Sequence, residues 1–253
     1  DQLYVSDQNT AKVSSYSLRA LRAQPAVGEG KLVAEFLTQD GIDLMTAASD
    51  GTLFFGGSGG KLFQVSPAGK VTVLVKDYEG KRLNGPNDLW IDPKGGIYLT
   101  DPYYKRDYWT GPNAPEQDGQ HVYYLTPDRK RLIRVAADLQ QPNGIVGTPD
   151  GKRLYVADIR AQKTYVYQIN PDGTLTGKRL FAEMGSDGMT MDEQENIYLT
   201  SRGAVTVFNV RGEKIDQIQV PERWVGNLTF GGKNRDILFI TASDSLYSIQ
   251  TRV

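Results

Sequence analysis

The sequence predicts an all-β fold, a six-bladed β-propeller whose four-stranded antiparallel blades surround a central channel. Three observations predict it: a block of residues that recurs along the chain, runs of alternating apolar and polar residues, and the lack of a convincing helix-period stretch. Four strands in each of six units of ~40–45 residues is typical of propellers. The 253 residues suit one such domain, and no linker or low-complexity segment divides them, so we expect a single domain over 1–253.

The recurring block consists of an Asn or Asp, a short apolar run, a turn, and a strand that ends in a small residue. Its copies lie at 42–57, 86–101, 142–158, 186–201 and 226–241, and 3–7 matches only the second half of a block. Two further alternating runs follow most copies, as at 61–65 and 71–75. Period-two alternation bounded by Gly, Pro, Asn and Asp is typical of strands joined by hairpin turns.

The two ends of the chain each carry an incomplete unit. The first lacks its first strand and the last lacks its fourth, and residue 1 is Asp rather than an initiator Met. We therefore expect a natural beginning upstream of Asp1 that supplies the inner strand of the first blade. Removal of an N-terminal segment would favour a secreted or periplasmic location over a cytoplasmic one.

Composition excludes several classes of function. Lys plus Arg is 29 and Asp plus Glu is 30, a net charge of −1 that gives no electrostatic reason to bind nucleic acid or an anionic membrane. The chain has no Cys and one His, so thiolate sites and His-based triads are excluded within it. Any chemistry must use carboxylates, amides, hydroxyls and a hard metal ion. The oligomeric state is left open by the composition.

An amide or a carboxylate occupies one register position in every visible unit. Counting back ten residues from the start of the second strand, or eleven in the unit with a longer turn, reaches Asp43, Asn87, Asn143, Asp187 and Asn227. The first strand of a propeller blade lines the central channel, so these side chains are predicted to converge. Convergent oxygen ligands favour Ca²⁺ over Zn²⁺. The alternative interpretation is that each residue only caps a turn.

The second strands end at the same rim as these residues. Asp101 and Asp158 lie at this rim. The alternative to a role in binding is that both residues only cap turns after a strand. The segment 102–120 carries Tyr104, Tyr108 and Trp109, and is predicted to be a lid or a binding wall, or else a packed surface loop. We interpret His121 as an ordinary strand residue, and Lys81 and Arg82 as solvated loop charges.

Several motifs together resemble the gluconolactonase/regucalcin (senescence marker protein) family. They lie at 77–88, 98–102, 141–144, 186–189 and 227–232, and the similarity covers the chain from about Gly41 onward. The resemblance implies a six-bladed propeller that hydrolyses sugar lactones with a divalent cation in its channel. The family's metal ligands are a Glu on the first blade, two Asn and an Asp. By motif match, Asn87, Asn143 and Asp187 fall on the last three, whereas the Glu has no match and would precede Asp1.

The function implied by this resemblance is calcium-dependent hydrolysis of a small sugar lactone such as gluconolactone, a carboxylic-ester hydrolase activity. Zn²⁺, Mn²⁺ and Mg²⁺ are the alternative cations. Asp187 is predicted to hold the metal and to act as general base toward water, and Asn143 to orient the metal. The predicted substrate-binding residues are Asp43, Asp101, Tyr104, Trp109 and Asn227. The alternatives are a phosphotriesterase-like hydrolase and a non-catalytic propeller that binds a ligand at its rim.

Overall fold

The computed structural model describes residues 2–7, 12–17, 31–35, 42, 44–57, 59–105 and 114–251, with only the backbone described in the first three ranges. Throughout these residues the regular elements are strands. The first sheet contains β1 (Gln2–Asp7), β2 (Lys12–Ser17) and β3 (Lys31–Glu35). The second contains β4 (Leu44–Ala47), β5 (Leu53–Gly57), β6 (Lys61–Val65) and β7 (Val71–Val75).

Four further sheets follow in chain order. They are β8 (Asp88–Ile91), β9 (Ile97–Asp101), β10 (His121–Leu125) and β11 (Leu132–Ala136); β12 (Pro142–Gly147), β13 (Arg153–Asp158), β14 (Lys163–Ile169) and β15 (Leu175–Ala182); β16 (Met189–Met191), β17 (Ile197–Ser201), β18 (Ala204–Phe208) and β19 (Lys214–Gln219); and β20 (Val225–Gly231), β21 (Ile237–Ala242) and β22 (Ser245–Gln250). In every sheet, strands adjacent in sequence pair antiparallel. This meander arrangement is that of propeller blades.

The hairpin turns use side-chain oxygens to hold the backbone. In the β8–β9 turn, Asp92 Oδ1 accepts the amide hydrogens of Lys94 and Gly96, both at 2.8 Å. Gly95 has a φ of +85°, a conformation that glycine adopts without steric cost. The Asp and Gly residues that bound the strands in the sequence therefore have the turn role expected of them.

The chain divides into two compact units, 1–87 with 103–118, and 88–102 with 119–253. In the first unit, the core beside the second sheet contains Ile42, Leu53, Phe55 and Val65. Gly56 is required there, because an added Cβ would lie 2.8 Å from both Leu44 and Pro86. The second unit holds the remaining four sheets.

The sheets of the second unit pack face to face through strands that are buried on both sides. Leu154 and Val156 of β13 pack with Tyr98 of β9, whereas Tyr155 and Ala157 pack with residues of the next sheet such as Ile197. Alternate side chains of one strand thus pack into two different hydrophobic cores, one on each face of the sheet. The first strands β8, β12, β16 and β20 contact one another in succession. This packing brings the predicted polar residues of neighbouring first strands together.

The all-β propeller class is confirmed. The prediction of six four-stranded blades is wrong for the part of the chain that the structure describes, because four sheets have four strands and two have three. The two three-stranded sheets are β1–β3 and β20–β22, where the sequence offers only three alternating runs. Within the described residues, no helix is long and apolar enough to cross a membrane.

Candidate functional site

Asn143 lies on the first strand β12 and Asp187 lies just before the next first strand, β16, at a point of close backbone contact. Asn143 is buried in β12, at a register irregularity between Pro142 and Ile145, and the half-buried Asp187 precedes β16. The amide of Gly144 donates to the carbonyl of Ser186 at 3.3 Å. A Cβ on Gly144 would lie 2.9 Å from the carbonyl oxygen of Asp187. The Asn-Gly pair thus allows the two strands to approach each other closely.

A similar contact links Asp187 to the next first strand. A Cβ on Gly188 would lie 2.3 Å from Asn227 Oδ1, so the Asn227 side chain packs directly on the Gly188 backbone. Asn227 is exposed, and its Oδ1 also accepts the amide hydrogen of Leu228 at 2.8 Å. The structure therefore places Asn143 on β12, Asp187 just before β16 and Asn227 on β20, three successive first strands.

Asp88 is a fourth member of this group that the sequence analysis missed. Its buried carboxylate accepts the amide hydrogens of Ile145 at 3.1 Å and of Leu89 at 2.9 Å. Burial raises the pKa of Asp88 to about 8, the two amide hydrogen bonds oppose the rise, and the charge of Asp187 adds to it. Asp88 directly follows Asn87 in the motif, a position that could have identified it. We call Asp88, Asn143, Asp187 and Asn227 the polar row.

Threonines at the ends of the second strands hold the backbone of the polar row. Thr100 Oγ1 accepts the Asp88 amide hydrogen at 3.1 Å and donates to the Asn143 carbonyl at 2.8 Å. Thr200 Oγ1 accepts the amide hydrogen of Gly188 at 3.0 Å, and Thr241 Oγ1 that of Asn227 at 3.1 Å. The row is therefore built on a repeated side-chain to backbone hydrogen bond.

This pattern shifts Asn227 by one residue from its predicted register. Asn227 bonds to Thr241 and to Leu228 in the way that Asp88 bonds to Thr100 and Leu89. It therefore takes the place of Asp88 and not that of Asn87. The reason is that the β20–β21 ladder has five residue pairs from Asn227 to the turn, whereas the β8–β9 ladder has four from Asp88 to the turn.

Trp224 forms a hydrogen bond to the Asp187 carboxylate. Its indole Nε1 donates to Asp187 Oδ2 at 2.9 Å, while half of the residue's surface, 50%, stays exposed. Trp224 lies directly before β20. No spacing in the sequence singles it out, because it belongs to the turn before the repeated block.

The other predicted site residues have different surroundings. Asp101 is fully buried at the end of β9, where it pairs in register with His121 of β10. Asn87 is buried and Tyr104 half-buried, and both belong to the first unit. Asp43, Tyr108 and Trp109 lie outside the described residues. The binding roles of these residues stay predictions.

Two rim residues have structural roles. Asp158 caps the chain after β13, since its carboxylate accepts amide hydrogens from Gln140 at 2.7 Å, Gln141 at 3.0 Å and Ala161 at 3.1 Å. This confirms the turn-capping interpretation for Asp158. His121 is a buried strand residue whose Nε2 lies 3.3 Å from Arg134 Nη1.

The interpretation of Arg82 as a solvated charge is wrong. Its amide donates to Glu116 Oε2 at 2.8 Å, and its Nη2 donates to the Ala114 carbonyl at 3.2 Å. Gln117 Nε2 also donates to the carbonyl of Lys81 at 2.8 Å. The end of the segment 102–120 thus folds back onto the residues before Asn84, a long-range contact that sequence spacing does not reveal.

Comparison with known protein families shows which family the chain belongs to. A family model described as the SMP-30/Gluconolactonase/LRE-like region matches residues 1–244. The chain belongs to the SMP-30/gluconolactonase/LRE-like family. The resemblance inferred from the motifs is confirmed.

Individual members of this family are similar to the chain over different lengths. A gluconolactonase of Zymomonas mobilis is 30% identical over 85% of the chain, and lactonase drp35 of Staphylococcus aureus is 31% identical over 56%. The chain spans 64% and 44% of the length of these two relatives. The structure of a gluconolactonase from Xanthomonas campestris superposes with a TM-score of 0.87 at 27% identity, covering 98% of this chain and 82% of that one.

The calcium-binding protein regucalcin of Agrobacterium tumefaciens shares the fold of the family, with a TM-score of 0.71 at 20% identity over 96% of this chain and 81% of its own. In the described part of this chain, no three His, Asp or Glu residues cluster as a set of metal ligands. The polar row combines two carboxylates with amide oxygens, which is the donor chemistry of hard cations. Burial is the main cause of the raised pKa of the Asp88 carboxyl and the charge of Asp187 adds to it, so a cation near both carboxylates would relieve their repulsion.

Proposed function

We propose that this protein hydrolyses a small sugar lactone, such as gluconolactone, at the polar row. The observation that carries the proposal is the contact of Asn143-Gly144 with Asp187 on adjacent first strands, in a chain of the SMP-30/gluconolactonase/LRE-like family. The names of the relatives, a gluconolactonase and a lactonase, support the substrate class. The reaction cleaves a carboxylic ester, so water adds to the carbonyl carbon and the ring oxygen leaves.

The donor chemistry of the polar row fits a divalent cation, and we propose Ca²⁺, with Zn²⁺, Mn²⁺ and Mg²⁺ as alternatives. Asn143 and Asp187 would hold it within the second unit. A bound cation would polarise the lactone carbonyl and stabilise the oxyanion that forms on it.

The residues of the row have separate proposed roles in the reaction. The Asp187 carboxylate accepts the proton of the attacking water, a role that needs its ionised form. Asn143 supplies a neutral amide oxygen in a fixed place, because its backbone is held by Thr100. Asp88 positions β12 through its bond to the amide of Ile145. Asn227 and Asp101 are proposed to bind the hydroxyl groups of the sugar.

We further propose that the four sheets of the second unit are successive blades of the propeller. The successive contacts of β8, β12, β16 and β20 in the second unit support this arrangement. A crystal structure in which the sheets stack as a two-layer sandwich would contradict it.

Initial rates on glucono-1,5-lactone, with and without EDTA, test the proposed function, and a phosphotriester serves as the competing substrate. We expect lactone hydrolysis that EDTA abolishes and Ca²⁺ restores. Faster hydrolysis of the phosphotriester than of the lactone would favour a phosphotriesterase-like hydrolase. Lactone binding without turnover would favour a non-catalytic propeller.

A further inference from the structure

We infer that Trp224 is a positioning residue for Asp187, and that its exposed indole face is the surface on which the substrate ring packs. This inference rests on the proposed function. It starts from one side chain that is both hydrogen-bonded to the polar row and half exposed. The indole Nε1 donates to Asp187 Oδ2 at 2.9 Å, and 50% of Trp224 is accessible.

The segment that carries Trp224 is held on both sides. Its carbonyl accepts the amide hydrogen of Ser243 at 2.9 Å, and the next residue, Val225, is buried in the core between two sheets. Two residues earlier, Glu222 Oε1 accepts the hydroxyl hydrogen of Tyr247 at 3.2 Å. The indole is therefore placed by β20 and the hairpin β21–β22. Its position does not depend on a free loop.

A hydrogen bond from a neutral donor to a carboxylate is stronger than one between neutral groups, and an indole nitrogen can only donate. The bond from Trp224 therefore fixes one oxygen of Asp187 and limits rotation of the carboxylate plane. A ligand or base must be held close to its working orientation, since small displacements are costly to catalysis. This gives Trp224 an effect on the reaction without contact with the reacting atoms.

The exposed face of the same ring has a different use. Binding sites for small molecules are commonly lined by aromatic side chains, with a few polar groups that fix orientation. The indole lies next to a carboxylate, so a ligand that reaches Asp187 with a polar group meets an apolar face beside it. A sugar lactone offers both, hydroxyl and carbonyl oxygens along its edge and C–H groups on its face.

Two substitutions separate these roles, and Trp90 provides a matched control. Trp224→Phe keeps an aromatic ring but removes the N–H donor, whereas Trp224→Leu removes both. Trp90→Phe changes a tryptophan that stacks on Tyr98, at 5.8 Å between ring centroids, two residues beyond Asp88 in the same strand. Thermal unfolding of each variant shows whether the fold is kept.

The first measurement uses Tb³⁺ alone, a luminescent substitute for Ca²⁺ that is excited by energy transfer from a nearby indole. We expect wild type and Trp90→Phe to show strong sensitised emission, and Trp224→Phe to lose most of it while calorimetry still detects Tb³⁺ binding. Undiminished emission from Trp224→Phe would overturn the inference. A wild type that binds no Tb³⁺ but hydrolyses lactones would contradict the metal in the proposed function, and the kinetics would then decide on Trp224.

The second measurement compares kcat and KM for glucono-1,5-lactone. Loss of one hydrogen bond to a charged group predicts a fall of kcat of about tenfold or more in Trp224→Phe, with KM within about twofold. Trp224→Leu should show the same fall of kcat and a severalfold rise of KM. Equal kcat in wild type and Trp224→Phe would overturn the positioning role. A wild type with neither activity nor Tb³⁺ binding would overturn both the proposed function and this inference.

Discussion

Asp158 and Asp187 show how two acidic residues on neighbouring sheets acquire different uses. Three backbone amides donate to the carboxylate of Asp158, whereas the carboxylate of Asp187 accepts the indole hydrogen of the half-exposed Trp224. In the sequence Asp158 ends a predicted strand and Asp187 precedes one, and these positions do not distinguish a structural role from a catalytic one. The structural role of Asp158 becomes visible only in the fold, where the loop before β12 brings the amides of Gln140 and Gln141 to its carboxylate.

Asp158→Ala should therefore destabilise the protein more than it changes the chemistry of the polar row. The three amides that lose their acceptor are exposed or half-buried, so water can replace part of each lost bond, and we expect about 1–2 kcal/mol from the three together. Urea unfolding measures this, with Asp172→Ala in an exposed turn as the control. A loss below about 0.5 kcal/mol would show that water replaces the carboxylate without cost.

Asp150 makes a pH-dependent contribution to the β12–β13 turn. Hydrogen bonds from the Thr148 hydroxyl and the Lys152 amide lower the pKa of Asp150 to about 2. A carboxyl whose folded pKa is depressed stabilises the fold above its unfolded pKa, and this stabilisation is lost as the pH falls through the folded pKa. The stability difference between wild type and Asp150→Ala should therefore shrink between about pH 4 and pH 2. A difference that stays constant over this range would contradict the assignment.

Gly188 is a residue whose missing side chain is needed by the polar row. Gly188→Ala would place a Cβ 2.3 Å from Asn227 Oδ1, so Asn227 or its strand must move. Gly226→Ala on the adjacent strand is the matched control, because its nearest neighbour would be 3.8 Å away. We expect about 1–3 kcal/mol of destabilisation and a loss of lactonase activity for Gly188→Ala alone. Equal behaviour of the two variants would contradict the close contact.

At the scale of elements, the repeat predicts which strands pair but not where they are irregular. The period-two runs at 61–65 and 71–75 form β6 and β7 with the predicted bounds. The irregularities in β12 and β20 lie within otherwise ordinary apolar runs, so the spacing gives no sign of them. These two irregular strands carry Asn143 and Asn227.

Thr100 joins three elements, since its hydroxyl bonds to Asp88 of β8 and to Asn143 of β12 from its own place in β9. Thr100→Val keeps the volume but leaves the Asp88 amide and the Asn143 carbonyl without this partner, at a cost of about 1–3 kcal/mol each. Thr100→Ser retains the hydroxyl and is the control. We expect lower stability and weaker metal binding in the valine variant only, measured by urea unfolding and calorimetry. Wild-type values for Thr100→Val would contradict the role of the threonines in holding the row.

At the scale of the whole molecule, the sequence was sufficient for the fold class and for the family, because both depend on a local pattern that is repeated. It was insufficient for Asp88 and Arg82, whose surroundings come from residues about 30 or more positions away. Burial of Asp88 requires β12, and the bonds of Arg82 require the return of the chain at Ala114 and Glu116. The incomplete sheets at both ends are the part of the repeat that departs from the predicted four strands.

The most direct test of the central claim is the turnover of glucono-1,5-lactone by Asp187→Asn and Asp187→Ala in buffers of defined Ca²⁺ concentration. Asn keeps an oxygen ligand but cannot act as a base at neutral pH, so Asp187→Asn should bind metal and stay inactive. Asp187→Ala should be inactive at any practical Ca²⁺ concentration, whereas added Ca²⁺ should partly rescue Asn143→Ala. Normal, chelator-insensitive activity of Asp187→Ala would contradict a metal-dependent centre at the polar row.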